Sequence, residues 1–78
     1  DLAERVLDRV TAPTLLIVGE NDWAVIPLNE SAYAHLRCEK ALKLVPLATH
    51  LFEEAGTLEE AAKLATEWFV RHLNPERI

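Results

Sequence analysis

The sequence predicts an α/β fold in which two parallel strands are flanked by helices, in the order α-β-α-β-α. Leu15, Leu16, Ile17 and Val18 form an unbroken apolar run between Pro13 and Gly19, which suits a strand buried on both faces. Residues 41–45, ALKLV, alternate as a second strand and are closed by Pro46. The stretches before, between and after them carry apolar residues at helical spacing. Two strands separated by a helix must run parallel through a crossover.

In chain order, residues 1–10 place Leu2, Val6, Leu7 and Val10 on one helical face, with Asp1 as a cap, and the helix ends before Thr11-Ala12-Pro13. The first strand follows, and Gly19 lets the backbone turn sharply into Glu20-Asn21-Asp22. After an apolar loop, Trp23 to Ile26, a second helix is expected over 28–37, with Pro27 at its start and Asn29 as its cap. Leu28, Ala32, Tyr33 and Leu36 form its inward stripe. A loop over 47–55 carries His50. The strongest helix is expected over 58–73, with Thr57 and Glu60 as a capping box and Asn74-Pro75 as its stop. Its apolar face is read as Leu58, Ala61, Ala62, Ala65, Trp68, Phe69 and Leu73. There is no repeat and no low-complexity tract.

Bulk properties set limits. Seventy-eight residues make at most one small domain, read as a single unit over 1–78. A net charge of −5 and a pI near 5.0, with the lysines and arginines scattered among acids, argue against a nucleic-acid or anionic-membrane partner. No apolar run approaches the length of a transmembrane span, and no signal-peptide pattern opens the chain. The lone cysteine, Cys38, cannot close a disulfide within the chain. These features predict a cytoplasmic protein. The absence of methionine and the start at Asp1 predict a piece of something longer.

Asp22 and His50 share a structural address, each in the loop after the carboxyl end of a parallel strand, where ligands and catalytic groups gather in open α/β sheets. A carboxylate beside a histidine ring fixes its tautomer and stabilises its protonated form, as in the acid and base of a triad. The two blocks Ala12 to Gly19 with Asp22, and Leu44-Val45-Pro46 with Ala48-Thr49-His50-Leu51-Phe52, resemble the C-terminal third of an α/β-hydrolase of the dienelactone-hydrolase-like esterase group. The resemblance covers nearly the whole chain. It implies a partial α/β-hydrolase fold, with the catalytic acid on Asp22 and the catalytic histidine on His50.

The chain departs from that pattern upstream of the acid. The group's nucleophile sits in a G-x-S-x-G elbow, and the glycines here are Gly19 and Gly56 alone. The oxyanion-hole donors go with the elbow. Trp23 follows the acid where a smaller or polar residue is expected. Ser31 falls within a helix and Cys38 at the opposite end of the sheet from His50, so neither is read as a substitute nucleophile. His35 and His72 are expected at the surface, and Glu53-Glu54 as a solvated loop from which one carboxylate could tune His50. No cofactor is implied, and no cysteine or histidine spacing suits a metal.

Two functional expectations result. The first is the acid-and-base portion of a hydrolase acting on carboxylic esters or related acyl compounds, with a small-molecule ester as substrate. The second is a non-catalytic assembly module. A pair of parallel strands leaves two edges open beside apolar side chains, so the sheet is expected to be completed by another copy, as a homo-oligomer, or by a missing N-terminal part. A flavodoxin-like nucleotide domain lacks its glycine-rich loop and acidic cluster here.

Overall fold

Pro13 and Gly19 bracket the strand that carries the fold. In the computed structural model the backbone is described for residues 2–73 and the side chains for 5–73, so the expected cap at Asp1, the inward Leu2 side chain and the stop at Asn74-Pro75 lie outside the described residues. Strand β1 (Thr14–Gly19) pairs in parallel with β2 (Lys40–Val45), in the register Thr14 to Lys40 through Gly19 to Val45. The pairing begins where the Thr14 amide donates to the Glu39 carbonyl at 3.0 Å. It runs on past both strands: the Glu20 amide donates to Val45 at 2.8 Å and the Asn21 amide to Ala48 at 2.9 Å. The expected α-β-α-β-α order is the observed one.

Helix α1 (Leu2–Leu7) is shorter than expected, since residues 9 and 10 close single turns onto Val6 and Leu7 instead of continuing it. Helix α2 (Ile26–His35) starts two residues earlier than its pattern suggests. Pro27 occupies the first turn, where its missing N–H costs nothing. Asn29 consequently lies inside the helix and is not its cap; its side-chain amide donates back to the Val25 carbonyl at 2.9 Å. The other end is closed by Lys40, whose ammonium donates to the Tyr33 and Leu36 carbonyls at 2.6 and 2.9 Å and sits 4.4 Å from the Tyr33 ring centre. A cation there offsets the helix dipole and satisfies carbonyls that have no helical partner.

Helix α3 (Thr57–Leu73) begins without the expected capping box. Thr57 is itself the first helical residue and is buried; its hydroxyl donates to the Glu54 carbonyl at 2.7 Å. Gly56, at φ 80°, supplies the first helical acceptor, taking the Glu60 amide at 3.1 Å. A left-handed glycine before the helix thus replaces the side-chain cap.

Register divides the strand side chains between two faces. Leu15, Ile17, Ala41 and Lys43 lie under α3, while Lys40 reaches α2 on the other side, with α1 resting against α2. Four apolar side chains are buried among the described residues: Val18, Leu36, Val45 and Ala48. The inward face of α3 is Ala61, Leu64, Ala65, Trp68 and His72; Leu58, Ala62, Phe69 and Leu73 are exposed, contrary to the broader stripe expected. Leu28 on α2 is exposed as well. A two-stranded sheet is too narrow to cover the full apolar arc of either helix. The result is a slab of 38 × 36 × 13 Å.

Leu36 joins α2 to the sheet with its side chain almost wholly buried. Replacing it by alanine is expected to cost about 2–5 kcal/mol, a large share of what a domain this size possesses, read as a lowered midpoint in urea unfolding. Gly19 has no room for a side chain. A Cβ there would stand 2.7 Å from the Ala48 carbonyl carbon and 2.9 Å from the Thr49 oxygen, both backbone atoms. Gly19→Ala is expected to destabilise by about 1–3 kcal/mol, the usual range for overpacking, and to weaken the Asp22–His50 contact together with the fold, as seen by thermal unfolding and by the His50 ring resonances.

Candidate functional site

Asp22 and His50 are carried to the same end of the sheet because each follows a strand of the same parallel pair. Past Gly19 the chain turns tightly: the Asp22 amide donates to the Gly19 carbonyl at 3.0 Å, and the Asp22 carbonyl accepts from the Val25 amide at 3.2 Å. Past Val45 a second turn, with Leu47 at φ 66° and the Ala48 amide on the Val45 carbonyl at 3.3 Å, brings the chain back across the end of β1. Ala48 is fully buried there, packed on the bare backbone of Gly19.

The two side chains meet. His50 Nδ1 lies 2.9 Å from Asp22 Oδ2, with Asp22 only 14% exposed and His50 75% exposed. A carboxylate only accepts, so the Nδ1 proton is the one donated. Nε2 of the neutral ring is then left with a free lone pair. The shielded carboxylate and the accessible ring can therefore hold and move a proton at Nε2, the atom a general base uses. A cleft of about 280 Å³ adjoins the pair, walled by Ile17, Val18, Val25 and Phe52 with Asn29 at its side.

A carboxylate clasp holds the histidine loop. Glu54 accepts from the Thr49 amide at 3.0 Å and from the Thr49 hydroxyl at 2.6 Å. The hydroxyl bond, followed by the amide bond, keeps the Glu54 carboxyl below the ordinary glutamate range. The depressed value means the clasp contributes above the unfolded-state glutamate pKa and is lost as pH falls through the lower folded value. Of the Glu53-Glu54 loop, expected to be solvated with one carboxylate able to tune His50, Glu53 is exposed and Glu54 closes onto Thr49. The available signal was the five-residue interval from Thr49, which lets a side chain close the loop onto its own backbone.

Other histidines and nucleophiles fall elsewhere. His72 is not a surface residue: its side chain is 10% exposed and tilts against Trp68 with ring centres 4.1 Å apart. Its Nε2 is 3.5 Å from Glu39 Oε2, within ion-pairing reach but without hydrogen-bond alignment, so it is buried without a hydrogen-bond partner. The inward face of α3 extends to residue 72, a turn beyond Trp68, and that carries the ring inside. His35, half-buried, meets the Ser31 carbonyl at 2.8 Å from its own helix. Cys38 lies 3.6 Å from the Thr14 hydroxyl, at the end of the sheet opposite His50. Ser31 is an exposed residue of α2. Among the described residues no group of three or more histidines, cysteines or carboxylates could hold a metal ion, and no helix is long and apolar enough to cross a membrane.

No family model matches the chain. Two proteins of Mycobacterium tuberculosis, from different strains and each named provisionally as a phosphoribosyl transferase, are 56% identical over 73 residues, which is 94% of this chain but 16% of theirs. The crystal structure of a dienelactone hydrolase from Anabaena variabilis superposes with a TM-score of 0.87 at 51% identity, covering 91% of this chain and 33% of the hydrolase. The chain thus spans a third or less of the proteins it resembles. Over that span it has the α/β fold of a dienelactone hydrolase.

Proposed function

We propose that this chain supplies the acid and the base of a catalytic triad, in a hydrolase acting on carboxylic esters or related acyl compounds. The observation that carries the reading is the hydrogen bond from His50 to Asp22 at matched strand ends, with the ring exposed and the carboxylate shielded. His50 Nε2 takes the nucleophile's proton and returns it to the leaving group, while Asp22 holds the ring and stabilises its charged form. The nucleophile and the oxyanion donors come from outside these 78 residues, which contain no G-x-S-x-G elbow.

Similarity to a dienelactone hydrolase supports this reading. The name of the mycobacterial relatives bears on it less, because it belongs to proteins matched over a sixth of their length. The sequence here also lacks a glycine-rich loop to cradle a phosphate.

The reading is tested by grafting. A chimera in which this chain replaces the matching third of the Anabaena hydrolase is expected to hydrolyse a chromogenic ester, and His50→Ala or Asp22→Asn in it to lower kcat by about 10³-fold or more. A folded chimera whose activity ignores His50 would remove the proposal. Covalent labelling of the isolated chain by a serine-directed phosphonate would do the same.

A second reading, assembly through an open strand edge, is favoured by the outer side of β1. A hollow of about 270 Å³ runs beside that strand between Pro13, Leu15 and Ile17 and the exposed Phe69. The β2 side carries Lys43, the kind of charge that discourages further pairing. Sedimentation of the isolated chain is expected to show a concentration-dependent dimer that Ile17→Lys abolishes; a monomer at every concentration would count against pairing.

A further inference from the structure

We propose that Glu54 is a positioning residue for His50, acting through Thr49. The proposal rests on the acid–base reading of Asp22 and His50 and adds the group that keeps the ring in reach of its carboxylate.

His50 is three-quarters exposed, so packing does little to hold it. Its neighbour Leu51 is exposed too. What fixes the loop is a chain of hydrogen bonds that starts from a buried anchor. Thr57, the buried first residue of α3, donates both its amide and its hydroxyl to the Glu54 carbonyl, at 3.1 and 2.7 Å. The Glu54 carboxylate in turn receives both donors of Thr49, the residue directly before His50. Inside that ring of atoms the Phe52 amide bonds the Thr49 carbonyl at 3.2 Å, and Phe52 adopts φ 54°. A left-handed conformation at a bulky residue persists only when its surroundings impose it. The two-oxygen clasp is the part of those surroundings that a side chain supplies. Glu53, one residue away, is exposed and takes no part, so position rather than charge distinguishes the two carboxylates.

The test reads the His50 Nδ1 proton by NMR in the 78-residue chain, through its exchange rate with water. In the wild type it is expected to be low-field and slow to exchange. Thr49→Val, which removes one bond of the clasp, is expected to speed exchange about five-fold, the weight of one net hydrogen bond, and Glu54→Ala, which removes both, to speed it more, while Thr49→Ser preserves the wild-type rate and Glu53→Ala does not change it. Backbone amide exchange, recorded in the same samples, separates local opening from global unfolding; if Glu54→Ala unfolds the chain, Thr49→Val decides, because it keeps the amide half of the clasp. Unchanged exchange in a folded Thr49→Val, or an equal rise in Glu53→Ala, overturns the proposal. If the wild type shows no bonded Nδ1 proton, the acid–base reading itself fails, and this proposal with it. In the active chimera the matching result is a lower kcat at unchanged KM for Glu54→Ala.

Discussion

The contact on which this molecule depends is the approach of two backbones at Gly19 and Ala48. Parallel strands normally diverge once their ladder ends. Here the amides of Glu20 and Asn21 carry the ladder on to the Val45 and Ala48 carbonyls, and Ala48 settles on a position with no side chain. The two polar loops are thereby held at the separation of paired strands, a little under 5 Å. A carboxylate and an imidazole projecting from such loops start within reach of each other, and the Glu54 carboxylate on Thr49 ties down the loop that carries the ring.

Around that contact the packing is thin. Four buried apolar side chains among the described residues and a slab 13 Å thick are little hydrophobic drive for ordering a chain of this length. Exposed Leu28, Leu58, Phe69 and Leu73 line faces that a wider sheet with more helices would cover. The apolar flank of β1 and the lysine on the flank of β2 give the two edges different characters. Local structure carries a correspondingly greater part of the order near the site: the left-handed turns at Leu47 and Phe52 and the glycine before α3 are backbone devices, and the Glu54 clasp on Thr49 adds a side-chain one.

Much of this was legible in the residues. The apolar run after Pro13 and the alternation before Pro46 placed both strands, since burial on two faces and burial on one leave different patterns. The candidate pair followed from position, each member lying just beyond a strand's carboxyl end. Features set by a single side-chain rotamer or by one residue of helix phase were harder to see. Thr57 read as a cap because Ser and Thr favour that place, but burial put it inside the helix and gave the capping role to Gly56. His72 is expected at the surface from its place near the helix end, whereas the phase set by Ala61, Leu64, Ala65 and Trp68 turns it inward. Leu28 and Phe69 look like core by spacing alone. Their exposure depends on how many strands the sheet has, which local pattern does not encode.

The two tryptophans end up in unlike settings. Trp23, which follows Asp22 in the chain, stands 75% exposed, while Trp68 lies half-buried under the sheet with the His72 ring against it. Their emission should separate accordingly, a red-shifted, readily quenched component from Trp23 and a shielded one from Trp68 that responds to its imidazole neighbour. The molecule therefore carries its own pair of optical probes: one in the loop that bears Asp22, and one on the seam between the sheet and α3.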